Sequence, residues 1–138
     1  MEFRKEKNVV GVIMKDGEDL LENLRSIAKK FRDTPLMVVI SALGMVSGVK
    51  LGYWDGKEYI THDAPESCEL LGVSGILTPK TDPPYHFHLI IGKKDGSVMG
   101  GHFMGAKVSN TLEMFLLEVN IPVERYLDGK LKKLRFTV

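Results

Sequence analysis

The spacing of apolar positions switches between two periods along this chain, and the switches mark its elements. Residues 8–14 (N-V-V-G-V-I-M) form a short apolar run with strand character. Leu20, Leu21, Leu24, Ile27, Ala28 and Phe31 then recur at helical spacing, while Glu22, Arg25 and Lys29 face away. This predicts a long N-terminal helix capped by Asp16, with Asp19 three residues on as a partial capping box. Residues 35–43 (P-L-M-V-V-I-S-A-L) read as a strand covered on both faces. Gly44, Gly48 and Gly52 punctuate the next stretch, and Val49-Lys50-Leu51 predicts a strand bent by glycine. Asp55-Gly56 is a hairpin signal joining Leu51, Tyr53 and Trp54 to Glu58, Tyr59 and Ile60. Residues 70–77 supply another strand, followed by a loop over 78–84 that Pro83 and Pro84 hold extended. Residues 107–119 fit a helix by Leu112, Phe115, Leu116 and Val119, and a strand by the alternation of Leu112, Met114 and Leu116. Residues 125–128 read as a turn or short second helix, and residues 134–138 as a closing strand.

Candidate chemistry concentrates in residues 84–102, P-Y-H-F-H-L-I-I-G-K-K-D-G-S-V-M-G-G-H, which hold three of the four histidines. His86 and His88 stand two apart in an apolar run, so a strand points both to one face. Lys94-Asp95-Gly96 fits a three-residue hairpin loop closed by glycine. Lys93 then pairs with Ser97, and counting back along both arms sets His88 opposite His102. Gly100 and Gly101 leave room on the second arm. Three convergent imidazoles with an open fourth position suit a zinc-type ion, so His86, His88 and His102 are the candidate metal ligands. Zinc is the first choice on ligand type, with nickel, copper and iron also suited to imidazole. The alternative is a hydrogen-bonded histidine cluster on a sheet or subunit interface, and a one-residue slip would turn His102 to the other face.

The same residues carry a resemblance. P-x-H-x-H, then D-G-x-V-x-G-G-H, then Thr111-Leu112-Glu113 is similar to the plants and prokaryotes conserved (PPC) domain family. G-E-D-L-L-E-N-L at 17–24 and E-L-L-G-V-S-G at 69–75 also fit its pattern, so the resemblance covers nearly the whole chain. It implies an α+β fold on a mainly antiparallel β-sheet, favours a long strand over 107–119, and implies assembly as a homotrimer. Plant members join such domains to AT-hooks that bind the DNA minor groove. This chain departs there, having no Arg-Gly-Arg-Pro core.

Composition narrows the classes. A chain of 138 residues, 43% hydrophobic and 27% charged, fits one globular domain spanning 1–138. Nineteen basic and eighteen acidic residues leave a net charge of +1, which withholds support from nucleic-acid binding. The one basic cluster, residues 130–135 (K-L-K-K-L-R), splits its charge between two sides if it alternates. A lone cysteine, Cys68, allows no intrachain disulfide and reads as a packed strand thiol in a reducing interior. The opening Met1-Glu2-Phe3-Arg4-Lys5-Glu6 is charged at once, and no apolar run approaches a membrane span. The expected location is cytoplasmic.

Other polar residues have two readings each. His62 is a candidate fourth ligand or a surface strand end. Glu113, in an apolar run, is a candidate acceptor for a ligand histidine's second nitrogen, or a general base. Its other reading is structural pairing with Lys107 or Arg125. Asp82 reads as a turn cap, and Lys93 and Lys94 as a solvated turn. No G-x-S-x-G, H-E-x-x-H or phosphate-binding glycine loop occurs. Three functions from different classes are compatible with these residues: a trimeric metal-binding domain acting in binding or assembly, a metal-dependent hydrolase, and a DNA-associated protein with or without a protein partner.

Overall fold

The computed structural model describes residues 1–137. Its order is β1 (Glu2–Glu6), β2 (Val9–Lys15), α1 (Leu20–Lys30), β3 (Leu36–Trp54), β4 (Tyr59–Ala64), β5 (Cys68–Leu77), β6 (Tyr85–Gly92), β7 (Val98–Val119), β8 (Val123–Asp128) and β9 (Leu131–Phe136). Seven strands form one antiparallel sheet in the order β1-β2-β7-β6-β5-β3-β4, and β8 and β9 form a separate ribbon. Strand β7 also pairs along β3, from Leu36↔Val119 to Gly52↔His102. The circuit β3-β5-β6-β7 is therefore closed, which leaves its members no free edges.

Two long strands make that closure. The predicted strands at 35–43 and 49–51 are one 19-residue strand, β3, bent where its register shifts. One shift falls at Gly44, whose φ is 141°. A Cβ there would lie 2.1 Å from the Thr111 carbonyl oxygen, so only glycine lets β3 and β7 approach so closely. The ambiguous 107–119 stretch is strand, the C-terminal part of the 22-residue β7. Val108, Leu112, Met114 and Leu116 point inward and Phe115 outward, so the alternating pattern, not the helical one, decided it.

The expectation of a long helix plus a second short one is corrected on both counts. The helix has 11 residues, and its N-cap is Asp19, whose carboxylate accepts from the Glu22 N–H at 3.0 Å. Asp16 caps nothing: its Oδ1 accepts from the Asn110 N–H at 2.7 Å, where β7 bends through a positive φ of 66°. Residues 125–128 lie in β8, which turns into β9 through Gly129 (φ 63°). A two-residue glycine turn matches ribbon twist, and its pairing outweighs the weak helical preference of four residues. The predicted closing strand begins three residues earlier, at Leu131, and Val138 lies outside the described residues. Strand β1 went unpredicted because it is an edge strand held by backbone pairing to β2, with mostly exposed polar side chains.

Leu20, Leu24 and Ile27 of α1 pack into a single core with Phe87, Leu89, Phe103 and Leu112. Fully burying one such Leu, Ile or Phe stabilises the fold by about 1.5–3 kcal/mol. Strand β6 alternates strictly: Phe87, Leu89 and Ile91 enter the core, and His86, His88 and Ile90 are left outside. That alternation is what presents the histidines. Cys68 is buried, and burial together with the nearby Glu66 pushes its thiol pKa up, in keeping with a packing role. No described helix is long and apolar enough to cross a membrane.

Candidate metal centre

The hairpin register predicted from sequence is the one observed. Gly96 takes φ 85°, the Lys93 N–H donates to the Ser97 carbonyl at 2.8 Å, and His88 stands opposite His102. Asp95 tightens the loop by accepting from the Ser97 N–H at 2.9 Å. One ring nitrogen from each of His86, His88 and His102 lies within 4.8 Å of the other two. Nε2 of His86 and Nε2 of His88 are 3.2 Å apart. A tetrahedral ion with Zn–N bonds of about 2.0–2.1 Å needs nitrogens about 3.3 Å apart, so the His86–His88 pair already fits, and a His102 nitrogen lies within 4.8 Å of both. The donor set is all nitrogen with one face open, which suits zinc and the neighbouring divalent transition metals.

Local packing favours the neutral form of His86 and His102. Burial, and then the neighbouring His86 and His88, push the His102 pKa down to about 4. His86 is lowered by burial, then by His88 and the Arg125 guanidinium. Neutral imidazoles keep a lone pair free for a metal at physiological pH.

Three residues that the sequence reading did not connect to the site shape it. Tyr59 of β4 stacks on His102, with ring centroids 4.7 Å apart and planes at 24°. That contact exists because Gly52, the β3 partner of His102, has no side chain: a Cβ there would lie 2.9 Å from Tyr59 Cδ1. The third is Arg125, on the separate ribbon. Its Nε–H donates to the Pro83 carbonyl at 3.0 Å and its Nη1 to the Lys132 carbonyl at 3.3 Å. Pro83 belongs to the loop that leads into β6, and that loop is pinned at its base by Thr78 N–H donating to the Pro84 carbonyl at 2.8 Å. Arg125 thus ties the ribbon to the strand carrying His86 and His88. No single-residue signal marks this, since the tie joins segments 42 positions apart through a backbone oxygen.

The other candidates lie elsewhere. His62 is exposed on β4 opposite Leu51 and outside the histidine group. Glu113 sits far along β7, between Ile13 and Leu43, and has no hydrogen bond or ion pair to Lys107 or Arg125 among the described residues. Asp82 contributes its backbone oxygen, which accepts from Lys132 Nζ at 3.1 Å. Two depressions flank the histidines. One of about 370 Å³ is bounded by β3, β5 and the His86–His88 face, and one of about 530 Å³ lies between His86, His102 and the β8–β9 ribbon.

Fold and site together define a class: an α+β domain with a three-histidine cluster on the outside of a closed antiparallel sheet. The description of the Plants and Prokaryotes Conserved (PCC) domain matches residues 1–120, and the chain belongs to that family. Among solved structures, a plant- and prokaryote-conserved (PPC) protein of Pyrococcus horikoshii is 26% identical, with TM-score 0.77, over 93% of this chain and 90% of that one. A protein of Archaeoglobus fulgidus described as metal-containing is 27% identical, with TM-score 0.79, over 99% and 97%. One from Bacteroides thetaiotaomicron, described as a candidate DNA-binding protein, shares the fold at TM-score 0.87 and 17% identity, over 98% and 96%. No curated protein matches the chain.

Proposed function

We propose that this chain is a metal-binding PPC domain, with a zinc-type ion held by His86, His88 and His102, that acts in binding or assembly as a homotrimer. The convergence of three imidazoles from two paired strands carries the reading. The description of the Archaeoglobus fulgidus relative as metal-containing supports it. When bound, such an ion supplies Lewis acidity and lowers the pKa of a water in its open position. This chain's own part is to orient the imidazoles on β6 and β7 and to shield His102 with Tyr59. Exposed apolar side chains on β3, β5 and β6 (Ile40, Leu71 and Ile90) are in keeping with self-association through the strand surface. Equilibrium sedimentation tests it: three times 15.4 kDa supports the trimer, and the monomer mass refutes it.

Elemental analysis of protein purified without chelator or affinity nickel tests the metal reading. About one equivalent per chain, lost in a His86→Ala, His88→Ala double variant, is the expected result. No metal in either sample makes the histidines sheet or interface residues.

DNA association is the second reading, favoured by the descriptions of the Bacteroides thetaiotaomicron relative and of one from Ralstonia eutropha. Charge argues against it: Lys133 pairs with Asp128 at 2.6 Å and Arg135 with Glu124 at 2.7 Å, which neutralises part of the basic ribbon. DNA binding with a steep salt dependence would establish this reading instead.

A further inference from the structure

The depression of about 530 Å³ beside His86 and His102 has a one-sided charge pattern. Across the chain acidic and basic residues nearly balance, yet no carboxylate lines this cleft, while Arg125, Lys130, Lys132 and Lys133 do. Lys133 is matched by Asp128, but Lys130 makes no ion pair among the described residues. Arg125 spends Nε and Nη1 on backbone carbonyls, and its Nη2 is buried with no partner. A buried guanidinium donor without an acceptor is uncommon, because the lost hydration has to be made good by something.

The facing wall adds to the imbalance. Three imidazole ligands carry no charge, so a divalent ion among them keeps its full positive charge with no protein carboxylate to offset it. Arginine's planar fork is the side chain that best matches a carboxylate or phosphate.

We propose that this cleft binds a small oxyanion, a carboxylate or phosphate group of a metabolite-sized ligand, which is held by the positive charge of Arg125 and Lys130 and faces the histidine centre. The proposal rests on the metal reading for the charge on one wall and on Arg125 for the other. Lys130 and Lys132, on the exposed ribbon side, draw the anion in without fixing its geometry, as ammonium groups do. Tyr59 and Tyr85, also lining the cleft, give the ligand's remaining body a semi-polar surface.

Calorimetric titration with inorganic phosphate and, separately, with acetate tests this, using zinc-loaded and chelator-stripped protein whose zinc content is measured on the same samples. Zinc-loaded protein is expected to bind one anion per chain, with chloride competing poorly. Arg125→Gln is expected to weaken binding at least tenfold when compared with the wild type at equal measured zinc content. Lys130→Gln, at an exposed position, is expected to weaken it several-fold, and serves if Arg125→Gln does not fold. Preference for phosphate or acetate tells which oxyanion the cleft is shaped for. Zinc-loaded protein that takes up neither anion overturns the proposal, as does full affinity in both variants. Failure to hold zinc at all overturns the metal reading instead, and anion binding by that protein that Arg125→Gln abolishes would still support the cleft.

Discussion

Alanine at Gly52 and at Gly101 should have different profiles, although Gly52 pairs with His102 and Gly101 directly precedes it on β7. Neither has a positive φ, so the cost is steric alone. At Gly52 the new Cβ would meet Met104 Sδ and Tyr59 Cδ1, both at 2.9 Å and both side-chain atoms that can swing away. At Gly101 it would meet the Gly52 carbonyl oxygen at 2.9 Å and Leu51 Cβ at 3.1 Å, in paired backbone beside the fully buried Leu51. Overpacking costs about 1–3 kcal/mol, with relaxable contacts at the low end and rigid ones at the high end. An unfolding entropy of about 2.1 cal/mol/K per residue gives about 290 cal/mol/K for 138 residues, so 1 kcal/mol moves Tm by about 3–4 °C. Gly52→Ala should therefore lower Tm by about 3–4 °C, and Gly101→Ala by about 7–10 °C. Gly52→Ala has a second signature, because it displaces Tyr59 from His102. The His102 pKa, now about 4, should climb toward its ordinary 6.5 as water reaches the ring. Calorimetry and an NMR titration of the His102 ring protons read both quantities. If Gly52→Ala proves the costlier change, or leaves the His102 pKa in place, the account of Tyr59 as a shield held over a glycine is wrong.

Other outcomes rest on the same contacts. His102 binds its proton more weakly folded than unfolded, so metal-free protein should keep full stability above about pH 6.5 and lose it progressively as pH falls toward about 4. Replacing His102 with Gln should flatten that part of the Tm–pH curve, and an unchanged curve refutes the assignment. Burial alone would raise the Glu118 pKa, but hydrogen bonds from Lys5 at 2.6 Å and Thr34 Oγ1 at 2.5 Å lower it. Its contribution is present above the ordinary value of 4.5 and lost as pH falls below it, so Glu118→Gln should cost about 1–2 kcal/mol at pH 7 and little at pH 3. Equal destabilisation by chemical denaturation at both pH values would count against that. Adding zinc at about a hundredfold over its dissociation constant should stabilise the wild type by about 2.7 kcal/mol, or roughly 9 °C, and should leave the double His86→Ala, His88→Ala variant unmoved.

How much of this was legible beforehand depends on how far apart in the chain each contact lies. The histidine face was readable because strand alternation and one glycine-closed loop fix it locally, within residues 84–102. The inward face of α1 was readable for the same reason, although its start was misplaced: Asp16 and Asp19 are equally good caps in isolation, and the Asn110 N–H claimed the first. The strand identity of 107–119 came from family pattern, because its own apolar spacing satisfied both periods until β2 and β3 paired on its two sides. Residues 125–128 were misread because four residues carry too little local preference to compete with ribbon pairing.

By itself, then, the sequence determined the elements whose cause is local, and with them the three imidazoles on one face of one hairpin. Tertiary structure alone decided what surrounds them. The closure of β3 on β7 set Gly52 against His102 and brought Tyr59 over it, while Arg125 reached the loop before β6 from a separate ribbon. Those contacts join residues roughly forty or more positions apart, and no local period or turn residue encodes such a meeting; it exists only once a shared core has fixed the backbone.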